Sequence, residues 1–88
     1  MTQVQGSKYL CTAGANRKAY LPDGRSLEVV VTTEDERVAV LTDYDHWYVA
    51  TLRPTGVVNM PAATIVKVHG GKPYAYRDAE RLAASRVR

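Results

Sequence analysis

Three things are absent or nearly absent from this chain of 88 residues: Phe, Cys and long apolar runs. A membrane-spanning helix needs about 18 or more consecutive apolar residues, and no run in the sequence approaches that length. The single cysteine, Cys11, can form neither an internal disulfide nor a thiolate zinc site. The first residues lack the basic and apolar regions of a signal peptide. We therefore expect one cytoplasmic domain over residues 1–88 that does not insert into a membrane.

The composition of the chain favours β-structure. Hydrophobic residues make up 45% and charged residues 24%, which is typical of a globular domain rather than a disordered one. Twelve Val and eight Thr residues carry a branched Cβ, which packs well on strands. Turn-forming residues recur about every ten residues, the spacing of small all-β domains. Between these turns the sequence predicts strands at 8–12, 17–21, 27–33, 37–42, 47–52 and 64–68.

The alternation of side chains along two of these strands predicts which residues share a face. Leu27, Val29 and Val31 are separated by single residues, so they should point to one side of the sheet. Residues 64, 66 and 68 of the last strand should likewise lie opposite residues 65 and 67. Pro61 has no N–H group to donate to a neighbouring strand, so it should lie just outside the last strand.

The last part of the chain has a different composition, rich in the good helix formers Ala, Arg, Leu and Glu. It predicts a C-terminal helix at about 74–88. The apolar residues that fall on one side of this helix are Ala75, Ala79, Leu82, Ala83 and Val87. The sequence therefore predicts a mainly β fold: a small antiparallel barrel of five or six strands, SH3-like or OB-like, with one C-terminal helix. A strongly bent or flat sheet covered by the helix is the alternative.

Several polar groups carry potential chemistry, and each has a simpler structural explanation. The run 43–46, Asp-Tyr-Asp-His, contains metal-ligand and acid–base side chains, but Asp is also favoured in turns because it accepts local backbone hydrogen bonds. His69, Gly70, Gly71 and Lys72 suggest an anion-binding nest, but Gly-Gly followed by Pro also reverses a chain. No nucleophile, base and orienting group can be assembled from the sequence. We therefore predict no catalytic residue, no metal site and no cofactor, and we expect that the protein is not an enzyme.

Positive charge is concentrated in the second half of the chain. Residues 1–44 contain five basic and six acidic side chains, whereas residues 45–88 contain seven basic and three acidic ones. The two balances, −1 and +4, add up to the net charge of +3. Such asymmetry can mark a surface for phosphates or for an acidic protein, although ordinary soluble domains also vary by this amount.

The first functional hypothesis is nucleic-acid binding, driven by the backbone of the ligand and only weakly selective for sequence. Aromatic rings stack on the bases of a single strand while cations meet its phosphates. The candidate residues are the cations Arg53, Lys67, Lys72, Arg77, Arg81 and Arg88 and the rings Tyr44, Tyr48 and Tyr76. The hypothesis requires that these side chains share one surface and that neighbouring acids do not pair with the cations.

The second hypothesis is a protein-binding adaptor or inhibitor. Tyr, Trp and Arg dominate protein interfaces, and an unpaired strand edge can pair with the chain of a partner. The interaction would use a strand edge or the C-terminal helix, and the acidic turns 34–36 and 43–45 would matter as much as the Arg residues. Homodimerisation through either element is compatible with both hypotheses.

Overall fold

Six strands and one helix make up the part of the chain that the computed structural model describes, residues 2–57 and 60–86. They are β1 (Leu10–Thr12), β2 (Lys18–Tyr20), β3 (Ser26–Thr33), β4 (Val38–Thr42), β5 (Trp47–Arg53), β6 (Ala62–His69) and α1 (Lys72–Arg86). Each predicted strand is present, and its bounds differ from the prediction by two residues or fewer. The helix begins two residues before its predicted start, and Val87 and Arg88 lie outside the described residues. Within these ranges no helix has the length and apolarity needed to cross a bilayer.

Strands β2 to β6 follow one another in chain order around a closed barrel, and β1 pairs with the end of β3 that β2 leaves free. Neighbouring strands are antiparallel, as predicted, except at the closure, where β2 and β6 run parallel and pair only at Tyr20 and Ala62. The Tyr20 N–H donates a hydrogen bond to the Pro61 carbonyl oxygen at 2.9 Å, and Pro61 lies just outside β6 as expected. The predicted small barrel with one C-terminal helix is confirmed.

A bulge in β3 changes which of its side chains face the barrel interior. Val29 and Val31 pair with adjacent residues of β4, so Val30 is an extra residue on β3. An extra residue reverses the alternation of faces beyond it. Val29 therefore lies in the barrel interior, whereas Val31 belongs to an apolar cluster on the outer side. The prediction that Val31 shares a face with Leu27 and Val29 is wrong for this reason.

Two apolar clusters stabilise the fold, one on each side of the sheet. The interior cluster fills the barrel and consists of Ala19, Leu21, Leu27, Val29, Ala39, Leu41, Ala50, Leu52 and Ala63. The outer cluster joins α1 to the barrel and consists of Leu10, Val31, Val38, Val40, Val49, Ala75 and Ala79. The helix buries only alanines of its predicted apolar face, Ala75, Ala79 and Ala83. These small side chains bring the helix backbone close to the sheet, while each buried large aliphatic side chain contributes about 1.5–3 kcal/mol.

Glu80 of α1 holds the segment that precedes β1. Its carboxylate accepts hydrogen bonds from the backbone N–H groups of Lys8 and Tyr9, at 2.6 and 3.0 Å, and from the Ser7 hydroxyl. The Ser7 oxygen in turn accepts a bond from the Leu10 N–H at 3.0 Å. These contacts join residues more than 70 positions apart in the chain and fix α1 where it approaches β1.

Candidate binding groove

The pairing of β2 with β6 that closes the barrel involves only the start of β6, and within the described residues the rest of that strand has an unpaired edge. β6 pairs with β5 from Ala62 to His69 but with β2 only at Ala62. The pairing with β2 stops because the chain turns back after Leu21, whose carbonyl oxygen accepts a hydrogen bond from the Gly24 N–H at 3.0 Å. Over residues 65–69, no described residue pairs with the edge of β6 that faces away from β5. This free edge is the first part of the candidate site.

A second bulge sets the direction of side chains along this edge. Ile65 and Lys67 pair with adjacent residues of β5, so Val66 is an extra residue on β6. Ile65 packs against the interior cluster, whereas Lys67 lies on the outer side, next to α1. Val66 and Val68 are 54% and 51% exposed, which is unusual for valines within a sheet. The prediction that residues 64, 66 and 68 share a face is wrong, because the bulge interrupts the alternation.

A groove of about 180 Å³ lies between the outer side of β6 and α1. The side chains that line it are Lys67 and His69 from β6 and Tyr74, Arg77, Asp78 and Arg81 from α1. Residues three, four or seven positions apart lie on one face of a helix, which is why Tyr74, Arg77 and Arg81 line the groove together. We call the free edge 65–69 and this groove the β6–α1 surface.

The groove contains cations that have no acidic partner. Lys67, Arg77 and Arg81, three of the predicted cations, form no ion pair with any carboxylate in the described part of the chain. Asp78, the acid of the groove, instead lies 3.0 Å from His69 Nε2. The side chains of that pair are only 24% and 16% exposed, so the pair links β6 to α1 and leaves the three cations to solvent.

The other predicted cations lie elsewhere. Arg53 ends β5 beside the first residue of β6, and Lys67 is five residues further along β6, about 16 Å away at the rise of a strand. Lys72, in the first turn of α1, places its Nζ 5.4 Å from the centre of the Tyr76 ring. The predicted site residue Arg88 lies outside the described residues. The structure thus brings together three of the six cations predicted for the site.

The three predicted rings do not line the groove. The Tyr44 hydroxyl donates to the Glu28 carboxylate, and the Tyr48 hydroxyl donates to Asp43 Oδ2 at 3.0 Å. The hydrogen bond to Glu28 raises the pKa of Tyr44, while burial and the bond to Asp43 raise the pKa of Tyr48. Tyr76 packs against the outer cluster, and burial raises its pKa. Two of these rings therefore lie next to carboxylates, which repel the phosphates of a nucleic acid.

Three residues of the groove, His69, Tyr74 and Asp78, are not among the candidates that the sequence predicts for nucleic-acid binding. Tyr74 is 62% exposed and is the ring that lines the groove. The sequence contains a signal for it, because Tyr74 precedes Arg77 by three positions and Arg81 by seven, the spacing of one helix face. His69 and Asp78 have no comparable signal as groove residues, since their contact depends on how α1 folds back against β6.

The acidic run 43–46 forms the turn between β4 and β5. Asp43 Oδ1 accepts hydrogen bonds from the N–H groups of Asp45 and His46, at 3.0 and 2.8 Å. These bonds, the one from His46 above all, lower the pKa of Asp43.

Gly70 and Gly71 form the bend between β6 and α1, and neither has the positive φ that is typical of an anion nest. Within residues 2–57 and 60–86, no three His, Cys, Asp or Glu side chains come together in a way that could hold a metal ion.

The chain matches no protein-family model, no curated protein and no solved structure. The geometry and chemistry of the β6–α1 surface are therefore the grounds on which a function is proposed.

Proposed function

We propose that this protein is a non-catalytic binding module and that it binds a partner protein at the β6–α1 surface. The observation that carries the proposal is the free edge of β6, where Val66 and Val68 are about half exposed beside a groove lined by unpaired cations and Tyr74. Exposed apolar side chains next to Tyr and Arg are typical of protein interfaces. An unpaired strand edge adds backbone groups that a partner chain can bind.

The groove supports a binding role better than a catalytic one. His69 and Asp78 resemble a general base and its orienting acid, since Nε2 lies 3.0 Å from the carboxylate. However, none of the described side chains that line the groove is Ser, Thr or Cys, so His69 has no hydroxyl or thiol group to activate there. The contact between His69 and Asp78 joins β6 to α1, which is a structural role.

Nucleic-acid binding is the second candidate, favoured by the three groove cations and Tyr74. A single strand would place phosphates on Lys67, Arg77 and Arg81 and stack a base on Tyr74. At about 0.7 per phosphate contact, three contacts predict that the logarithm of the binding constant falls by about 2 for a tenfold increase in salt. The exposed valines of the edge have no role in this mode of binding, which is why it ranks second.

Selection from a displayed library of random peptides tests the proposal. The affinity of selected peptides is measured by fluorescence anisotropy for the wild-type protein and for two double variants. Arg77→Glu with Arg81→Glu reverses two charges of the groove, whereas Arg53→Glu with Arg86→Glu makes the same change in net charge at exposed positions outside it. We expect the groove variant to weaken binding at least about tenfold, or about 1.4 kcal/mol, and the control variant to have little effect.

Labelled single- and double-stranded DNA and RNA are measured in parallel at two salt concentrations. Oligonucleotide binding that weakens with salt and is lost in the groove variant, with no peptide selected, would overturn the proposal in favour of a nucleic acid. Selected peptides that bind the groove variant as well as the wild type would also overturn it, because their site would lie elsewhere.

A further inference from the structure

We infer that the partner binds as an extended segment that adds a strand to the free edge of β6, with acidic side chains pointing into the groove. This docking mode rests on the proposed function and adds to it the conformation and the charge of the partner. Strand addition obtains affinity from main-chain hydrogen bonds and specificity from alternate side chains.

The free edge has the length and the backbone groups that an added strand needs. Residues 65–69 extend over about 16 Å and pair with β5 on their other side. In the described part of the chain, the outward N–H and C=O groups of this stretch have no strand partner. Residues 66–68 are exposed, whereas Ile65 and His69 are partly buried, so no described element covers the middle of this stretch.

The alternation of side chains determines which residues of an added strand meet the groove. Every second residue would point to the side of the sheet on which Lys67 and α1 lie. There it would meet Lys67, Arg77 and Arg81, none of which pairs with a carboxylate in the described ranges. Asp78 is already engaged with His69. Carboxylates are therefore the side chains that complement this face.

The opposite face of the added strand would meet apolar side chains. Val68 pairs with Tyr48 across β5 and β6, and Tyr48 packs against the interior cluster. Ile65 packs against the same cluster. An apolar residue placed beside Val68 would remove exposed apolar surface from water, at about 25 cal/mol per Å². The partner segment is therefore one in which acidic and apolar residues alternate.

A second copy of this chain is a poorer occupant of the same edge. Antiparallel pairing of two β6 edges about a two-fold axis brings the cations of both copies, Lys67 among them, towards one another. Like charges on facing strands are destabilising, and an edge Lys is a feature by which natural proteins avoid self-pairing. An acidic strand is attracted where a second copy is repelled. The homodimer that the sequence allows is therefore an outcome of the test.

Three short peptides separate the contribution of charge from that of strand pairing. One alternates Glu and Val, one alternates Gln and Val, and the third is the Glu–Val peptide with all its backbone nitrogens methylated. Binding to the full chain is measured by anisotropy, and the bound surface by amide hydrogen exchange. We expect the Glu–Val peptide to bind at least about tenfold more tightly than the Gln–Val peptide. Methylation should abolish binding, and the bound peptide should protect amides within residues 65–69.

Single variants locate the charge. Lys67→Glu should weaken the Glu–Val peptide about tenfold and leave the Gln–Val peptide unchanged, because only the former has carboxylates to place beside residue 67. Arg53→Glu, which makes the same charge change at an exposed position at the end of β5, should affect neither peptide. Equal losses in the two variants would mean that net charge, not the groove, attracts the peptide, and would overturn the assignment.

The other results have separate meanings. Equal binding of the Glu–Val and Gln–Val peptides, with protection of 65–69, overturns the charge assignment but keeps the proposed function. Binding that survives methylation overturns strand addition. Protection of 65–69 without peptide, together with sedimentation as a dimer, assigns the edge to a second copy and overturns the inference. If no peptide binds while an oligonucleotide does, the proposed function itself fails.

Discussion

β4 and β6 contain two Val residues each but are buried to very different extents. All five residues of β4 are buried, whereas Ala63 is the one buried residue among the eight of β6. β4 has the interior cluster on one side, α1 on the other and a strand at each edge. α1 covers β6 only in part, and within the described residues the edge of β6 that faces away from β5 is unpaired over 65–69. What covers a strand therefore matters more for its burial than its own composition.

If β6 binds a partner as proposed, stability and recognition depend on different parts of one small barrel. A substitution in β4 disturbs one of the two apolar clusters, since its side chains alternate between them. A substitution at the exposed positions of β6 changes a surface that faces solvent. Substitutions in β4 should therefore change the free energy of unfolding, whereas substitutions at the exposed positions of β6 should change the affinity for a partner.

Leu41→Ala in β4 and Val68→Ala in β6 should give the largest contrast. Leu41 is fully buried in the barrel interior, so its truncation leaves a cavity and should lower the free energy of unfolding by about 2–5 kcal/mol. Val68 is half exposed, and its truncation should change that free energy by about 0.5 kcal/mol or less. Urea unfolding followed by circular dichroism measures both. Comparable losses in the two variants would contradict the division between the strands.

The next largest effect should come from enlarging a small side chain where α1 meets β4 and β5. Ala79 is 0% exposed, so Ala79→Leu must displace the helix or its neighbours and should cost about 1–3 kcal/mol. Ala84→Leu is the matched control, because Ala84 is exposed on the same helix and its change should stay within about 0.5 kcal/mol. Thermal unfolding compares the two variants. Equal stabilities would mean that the helix does not pack closely on the sheet.

Glu80→Ala tests the attachment of the segment before β1. Three donors lose a charged acceptor in this variant, so the free energy of unfolding should fall by about 1–2 kcal/mol. Hydrogen exchange at the Lys8 and Tyr9 amides should become faster. Asp45→Ala, in the exposed turn between β4 and β5, serves as the control and should leave those amides unchanged. Unchanged exchange in Glu80→Ala would argue against the attachment.

The smallest effect should be the pH dependence that Asp43 contributes. Its pKa is lowered in the folded protein, so ionised Asp43 stabilises the fold above the unfolded pKa of about 3.9. That contribution is lost as the pH falls through the lower folded pKa. The urea midpoint of wild type should therefore drop more than that of Asp43→Asn between neutral and strongly acidic pH. A titration in which Asp43→Asn and wild type lose the same stability would show that this turn does not matter to acid unfolding.

The elements of the fold were predictable because strands and turns depend on local sequence. Alternation and turn residues place all six strands within two residues of their bounds. The extra residues Val30 and Val66 were not predictable, because a bulge is defined by how one strand pairs with its neighbour. The parallel pairing of Tyr20 with Ala62 likewise joins segments that are distant in the chain.

The candidate site was predictable only where its members share one element. Arg77 and Arg81 lie four positions apart, a spacing that predicts one helix face, and Tyr74 follows from the same spacing. Lys67 joins them only because the bulge at Val66 turns it towards α1. Charge alone puts Arg53 in the same predicted site, but Arg53 ends β5 and lies beside Ala62, at the end of β6 away from the groove. The charges in a sequence do not show how far apart the charged side chains lie in the fold.

The parallel pairing of β2 with β6 has a consequence for how this architecture can vary. Each hairpin reverses the chain, so the fifth strand of a meander points the same way as the first. Because the number of barrel strands is odd, β6 ends at the same end of the barrel as β2, and α1 begins there. Adding or deleting one strand would move the exit of the chain to the opposite rim, and the helix would carry its arginines with it. Viable rearrangements of this barrel should therefore gain or lose strands in pairs.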